Sequence, residues 1–174
     1  DTIIIGGAMA FTFLKARGLK TGKSLVEDDR LEYCKTLEAK AKKLGVQIIL
    51  PVDVVLADEL KAGLETTTTS VENIPDGKMG LDVGPETVKL INKALKESKT
   101  ILWNGPLGVF EIEEFSKATF AVIDTLVELT KTGVKTIVGG GDSVSALKEK
   151  GVSQDALTHV STGGGASLEF LEGK

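Results

Sequence analysis

The 174-residue sequence predicts one α/β domain: a mostly parallel, open sheet with helices on both faces, in three layers. Three observations predict it. Short apolar runs of strand length alternate with stretches of helical period, the pattern of right-handed crossover units. The first of these runs is β-branched without polar alternation, as suits a strand buried on both faces. Three runs end in glycine and pass straight into a helix: Ile3-Ile4-Ile5-Gly6-Gly7-Ala8, Ile137-Val138-Gly139-Gly140-Gly141-Asp142 and Val160-Ser161-Thr162-Gly163-Gly164-Gly165. A chain of this length, with 41% hydrophobic residues, buries about 70% of its unfolded surface as one domain.

Ile3 to Ile5 is the first strand, and Gly6-Gly7 ends it. A domain seldom opens on a central strand, so the reading expects further sequence upstream. Met9 to Ala16 has helical composition and stops at Gly18. Glu27 to Leu44 is an amphipathic helix, with Leu31, Cys34, Leu37, Ala41 and Leu44 on one face and Gly45 as its C-terminal cap. The charges of Glu27-Asp28-Asp29-Arg30 favour its N-terminus by their acidic bias. Val46 to Leu50 is the next strand, halted by Pro51, and Val52 to Ala57 a short third apolar run.

From Asp58 to Asp82 the pattern loosens. The Thr66 to Ser70 run reads as an outlying strand or exposed connection, and Ile74-Pro75-Asp76-Gly77 as a tight turn. Pro85 is placed to open a helix running to about Leu95. Thr100 to Trp103 is a strand whose Trp103 belongs to the core, and Phe115 to Leu129 is a helix. Thr136 to Val138, Ser143 to Lys150, Leu157 to Val160 and Ala166 to Leu171 complete the alternation as strand, helix, strand, helix.

Charge and composition exclude several functions. With 21 basic and 25 acidic residues the net charge is −4, against a chain that coats nucleic acid or an anionic membrane. No apolar run nears the roughly 20 residues that span a bilayer. The single cysteine excludes an internal disulfide framework or a Cys-rich zinc site. A soluble protein in a reducing, intracellular setting is expected.

The glycine corners carry the chemistry. In an open parallel sheet they lie at the carboxyl edge of the strands, where such folds bind ligands. The first turn of a helix has N–H groups without internal partners and a partial positive charge, so it favours an anion. Glycine lets phosphate oxygens reach those donors. A single Gly pair after a strand is commonly a tight turn, but three corners on one edge, two of them triple, point to phosphate. Asp142 would repel that phosphate unless a cation lay between them, and magnesium binds through such carboxylates together with phosphate oxygens and waters. The competing role for Asp142 is as N-cap of the helix near Ser143, and Ser143 serves that role equally well.

Other features read as structure. Gly18 to Ser24 imitates a phosphate-binding P-loop, but has one residue too few before Gly-Lys and follows a helix, so it is a helix exit and solvated turn. The segment Gly6 to Phe11 lacks the second and third glycines of a dinucleotide fingerprint. His159, the only histidine, is expected in a structural hydrogen bond, and Cys34 in packing.

The motifs WNGPLGVFE (Trp103 to Glu111), GGGDS (Gly139 to Ser143) and STGGGAS (Ser161 to Ser167) resemble those of phosphoglycerate kinases. MGLDVGP (Met79 to Pro85) and GGAMAFTFLK (Gly6 to Lys15) extend the resemblance over essentially the whole chain. The resemblance implies a Rossmann-like C-terminal domain of a two-domain kinase, residues 1–174 being the part that binds Mg-ADP or Mg-ATP. It implies that Gly6, Gly7 and Ala8 border adenine, with Leu25, Gly80 and Leu81 completing an apolar slot. Asn104, Pro106, Gly108 and Val109 would line the nucleotide and phosphate passage, and Glu111 would accept from ribose hydroxyls. Asp142 would hold magnesium, with Gly140, Gly141 and Ser143 near the phosphates. Thr162, Gly163, Gly164 and Gly165 would be catalytic, offering helix N-terminal donors to the phosphoryl group passing from 1,3-bisphosphoglycerate to ADP.

Two departures qualify that expectation. Ala8 stands where many members carry a third glycine. Relative to the family pattern the chain lacks the first strand-helix unit of its domain and the whole N-terminal domain that holds phosphoglycerate. The fragment alone is therefore expected to be inactive, and the full-length protein to be a glycolytic monomer of the cytoplasm, or of a plastid, without nucleic-acid or membrane partners. The rival readings are a dinucleotide-binding dehydrogenase domain and a non-catalytic α/β docking module.

Overall fold

The computed structural model describes residues 1–173, and it is an α/β structure with parallel strands joined through helices. β1 (Thr2–Ile4) leads through α1 (Ala8–Ala16) and α2 (Leu31–Leu44) to β2 (Gln47–Ile49), with which it pairs in parallel. β3 (Asp53–Ala57) is flanked in antiparallel fashion by β4 (Thr67–Ser70) and β5 (Met79–Val83). α3 (Pro85–Lys96) then crosses to a parallel sheet of β6 (Thr100–Asn104), β7 (Lys135–Gly139) and β8 (His159–Ser161), in that order. α4 (Lys117–Lys131) joins β6 to β7, α5 (Gly141–Lys150) joins β7 to β8, and α6 (Gly164–Leu171) follows β8.

The expected helix signals act where they stand. Gly45 ends α2 in the left-handed conformation, at φ 72°, and Gly151, which the sequence reading did not single out, ends α5 in the same way, at φ 78°. Pro85 is the first residue of α3. The acidic residues before α2 form a short 3₁₀ turn, Asp28–Arg30, leading into it. Two helices take their N-terminal acceptors from neighbouring strands. Asp53 of β3 accepts from the N–H groups of Glu86 (3.0 Å) and Thr87 (2.9 Å) at α3. Asp82 of β5 accepts from Ala118 N–H at α4 (3.2 Å). Both carboxylates are buried, and each satisfies donors that the helix cannot.

Two main cores back the sheets. One gathers Val83, Ile91, Leu95, Ile101, Phe110, Ile123, Leu126, Val138 and Leu147 from β5, β6, β7 and the helices α3, α4 and α5, and the half-buried Trp103 packs on it. The other gathers Phe11, Phe13, Leu14, Cys34, Leu50, Val54 and Leu56, so Cys34 is a packing residue as expected. A small third cluster of Ala57, Leu81 and Phe115 lies between β3, β5 and the turn before α4.

The structure corrects four sequence expectations. The Ile3 run is a strand but is not buried on both faces: Ile3 is 51% exposed, because among the described residues β1 pairs with β2 alone. β5 falls where the pattern was read as loose; Met79, Leu81 and Val83 alternate with Gly80 and Asp82, and the glycine hides the period. Gly18 to Ser24 is not simply solvated. Lys23 N–H bonds Lys78 O at 2.8 Å, Thr21 is buried, and Gly22, at φ 58°, lies so close to the Pro75 and Lys78 carbonyls that no side chain fits. His159 is exposed on β8, and its ring bonds no other described residue.

Candidate functional site

The second and third glycine corners meet. A side chain built on Gly164 would fall 2.8 Å from Gly140 Cα and 3.1 Å from Asn104 Oδ1. Asn104, at the end of β6, donates from Nδ2 to the Gly164 carbonyl at 3.2 Å, and Gly140 N–H donates to Ser161 O at 3.0 Å. Gly140 takes φ 100°, a conformation that favours glycine, to turn β7 into α5. The parallel register explains the meeting: Asn104 pairs with Gly139, and Gly139 with Ser161, so three strands end level and their corners share one edge.

The two helix starts point unpaired donors at this edge. The first backbone bond of α5 runs from Val144 N–H to Gly140 O, so the N–H groups of Gly141, Asp142 and Ser143 precede it. The first of α6 runs from Ser167 N–H to Gly163 O, leaving Gly165 and Ala166 N–H before it. A Cβ on Gly141 or Gly165 would meet nothing within 4 Å, so packing does not explain either glycine. Thr162 is exposed beside them.

Ser143 and Asp142 take roles that the capping argument did not foresee. Gly140 is the N-cap of α5, with no side-chain cap, so neither residue caps the helix. Ser143 is fully buried and its hydroxyl accepts from Gly105 N–H at 2.8 Å, tying the turn after β6 to α5, so it supports the corner from behind. Asp142 stands exposed in the first turn. Among the described residues no three His, Cys, Asp or Glu gather into a metal-holding group. One carboxylate beside a bank of N–H donors fits a hard cation that takes its other ligands from phosphate and water.

The first corner reaches the others through residues 104–111. Gly7, at φ 67°, donates its N–H to Leu107 O at 3.2 Å, and Gly6 packs directly on the Leu107 side chain. Thr119 of α4, wholly buried, accepts from the N–H groups of Leu107 (3.1 Å) and Gly108 (3.3 Å). Val109 N–H bonds Leu81 O at 3.0 Å, which places Val109 beside Gly80 and Leu81 of β5. Gly80 lies against the Phe11 ring and donates its N–H to Ser24 Oγ at 2.9 Å, so Leu25, 68% exposed, stands next to the same wall. Leu81 is buried, with little surface left to offer, while Ala8 and Glu111 are exposed.

Ser24, Thr119 and Asp82 support this surface without having been singled out from the sequence. Asp82 is 3% exposed and accepts from Val83 N–H (2.9 Å) as well as from Ala118 N–H. Burial pushes its carboxyl up to about 7, against the lowering effect of those two backbone bonds. Two hollows lie elsewhere, along β2, lined by Arg17, Glu38, Lys42 and Ile48 on one side and by Ile49, Leu90 and Lys93 on the other. The corners themselves form an open edge.

Level strand ends, two helix N-termini and a lone carboxylate define an α/β domain whose strand-end edge carries unpaired backbone donors. Comparison with known proteins gives the particular family. The phosphoglycerate kinase family model matches residues 1–174. A phosphoglycerate kinase of Nostoc punctiforme is 59% identical over 174 residues, covering 100% of this chain and 43% of the relative. The chloroplastic phosphoglycerate kinase of Volvox carteri is also 59% identical, with 37% of its length covered. Among solved structures, phosphoglycerate kinase from Coxiella burnetii superimposes with a TM-score of 0.94 at 43% identity, over 100% of this chain and 44% of that one. The chain belongs to the phosphoglycerate kinase family, and it spans about 43% of the length of the curated bacterial relatives it matches. No described helix is long and apolar enough to cross a membrane.

Proposed function

We propose that this chain is the nucleotide-binding half of a phosphoglycerate kinase, residues 1–174 forming the domain that receives Mg-ADP or Mg-ATP for phosphoryl transfer with 1,3-bisphosphoglycerate. The observation that carries the reading is the contact of Gly140 with Gly164 beneath Asn104, which brings two helix N-termini to one place. The polyphosphate lies across the N–H groups of Gly141, Asp142 and Gly165, with the buried Ser143 behind them. The base and ribose extend toward Gly6 to Ala8, Leu25, Gly80, Val109 and Glu111, past Pro106 and Gly108.

Asp142 would hold a magnesium ion, which would offset the charge of the phosphates. The residues of the chain do the remainder by position. The Gly163 and Gly164 N–H groups are taken by Ser161 Oγ and Thr162 O, so the oriented N–H dipole of Gly165, beside Thr162, meets the charge that develops on the transferred group, and no covalent nucleophile is required. The open edge exposes the site to water, so turnover requires a second body, carrying the phosphoglycerate, to close over it. Ile3 of β1 and Leu102 of β6 are exposed apolar strand residues, which supports the reading that further sequence of this domain packs on them. The full-length protein acts in glycolysis as a monomer of the cytoplasm or, like the Volvox relative, of a chloroplast.

Thermal unfolding tests the reading. Mg-ADP at about 100 times its dissociation constant stabilises a binding protein by roughly 2.7 kcal/mol. A clear rise in Tm is expected with Mg-ADP, a smaller one with ADP and chelator, and none with NAD. A response to NAD alone would replace the proposal with a dinucleotide-binding one. The 174 residues alone are expected to show no phosphoryl transfer.

A further inference from the structure

Outside the glycine corners, Asp82 is the feature that touches the most parts of the nucleotide surface without lining it. It follows Gly80 and Leu81 on β5, and its carboxylate receives Val83 N–H at 2.9 Å and, from α4, Ala118 N–H at 3.2 Å. Gly108 lies directly against the carboxylate: a Cβ there would fall on it, and would also stand 2.7 Å from the Phe115 carbonyl. One residue along α4, Thr119 holds Leu107 and Gly108 N–H, and one residue along β5, Leu81 O holds Val109 N–H. Asp82 is therefore the buried joint between β5, the 104–111 segment and the start of α4.

We propose that Asp82 is a positioning residue for nucleotide binding: its ionised carboxylate ties the start of α4, whose Thr119 carries Leu107 and Gly108, to β5, and so sets how the 104–111 wall lies on the β5 wall that it joins at Val109 N–H and Leu81 O. The inference rests on the nucleotide reading given above. An ionised carboxylate accepts both N–H groups, whereas protonation turns one oxygen into a donor. The neighbour then lost is either the helix start or the strand, and the walls are no longer held at one distance.

The carboxyl is poised for this because burial raises it to about 7. The charged residues on the elements around it are Asp53 of β3, Glu111 of the segment, Glu113 and Glu114 of the turn before α4, and Lys117, Asp124, Glu128 and Lys131 of α4. None of them contributes to that shift, which arises from desolvation opposed by the two backbone bonds. Nucleotide affinity should then fall as pH falls through neutrality, since the form that binds is the ionised one.

The test uses the full-length protein and the substitution Asp82→Asn. An amide retains one acceptor and adds a donor, as the protonated acid does. The expected result is a KM for Mg-ADP raised roughly three- to tenfold, the worth of one hydrogen bond, with the KM for 1,3-bisphosphoglycerate unchanged. Between about pH 6 and about pH 8.5 both proteins should lose Mg-ADP affinity on the acid side as the nucleotide phosphate protonates, and the unmodified protein should lose more than the variant. Equal KM values and parallel pH profiles for the two proteins would overturn the inference and leave the nucleotide reading standing. No Mg-ADP binding by the unmodified protein would overturn both. Should the variant fail to fold, the unmodified protein decides alone: affinity for adenosine, which has no phosphate to titrate, must weaken toward acid, and a flat profile rejects the proposal.

Discussion

Gly164 and Gly165 are neighbours of the same type placed under different constraints. The first is in contact with Gly140 and Asn104; the second faces open space. Replacing Gly164 by Ala forces the two corners apart, and overpacking of this kind costs about 1–3 kcal/mol. Replacing Gly165 by Ala meets no neighbour and improves helix propensity at the start of α6, so stability should hold. On the nucleotide reading both substitutions weaken Mg-ADP binding, the second only by obstructing the phosphates. Urea unfolding and a nucleotide titration on the two variants check this; Gly165→Ala with undiminished Mg-ADP affinity would remove that glycine from the site.

At the scale of elements, the molecule starts two helices with carboxylates borrowed from strands. α3 has Gly84 as its N-cap with no side-chain cap, and Asp53 supplies the acceptor from β3. Asp53 also accepts from the Thr87 hydroxyl at 2.6 Å, and the Thr87 hydroxyl in turn accepts from Val52 N–H at 3.0 Å. Substituting Asp53 by Ala leaves the buried Thr87 N–H and the part-buried Glu86 N–H short of an acceptor, while the Thr87 hydroxyl keeps the residue 53 carbonyl, 3.2 Å away. A loss of about 2–4 kcal/mol follows from the cap and the orphaned donors, read as a lower urea midpoint. Asp53→Asn, which keeps one acceptor, should lose less. Sequence reading placed α3 correctly through Pro85 but had no means of seeing its cap, because 33 residues separate Asp53 from Glu86.

For the whole molecule, Asp82 makes stability depend on pH with a definite sign. Its carboxyl is raised from 3.8 to about 7 in the folded state, so between those values the folded chain binds a proton that the unfolded chain releases. The contribution of this group is greatest below pH 3.8 and is lost as pH rises to about 7, a span of roughly 4 kcal/mol at 1.4 kcal/mol per unit. Unfolding free energies measured at about pH 5 and about pH 8 should differ less in Asp82→Asn than in the unmodified chain. An identical difference in both would show that the carboxyl titrates normally.

Local pattern was sufficient for the alternation of strands and helices, the cap at Gly45, the opening of α3 at Pro85 and the three glycine corners, because each depends on the backbone freedom or hydrophobic period of adjacent residues. The motifs around Trp103, Gly139 and Ser161 were enough to identify the family. Tertiary structure alone decided that Ser143 turns its hydroxyl inward to Gly105, that Gly18 to Ser24 docks beside β5, that β5 is a strand at all, and that Asp82 rather than a local residue caps α4. Each of these is a contact between residues far apart in the chain, and such contacts are set by how strands pair and helices pack. A sequence records the donors and acceptors but not which distant partner each will meet.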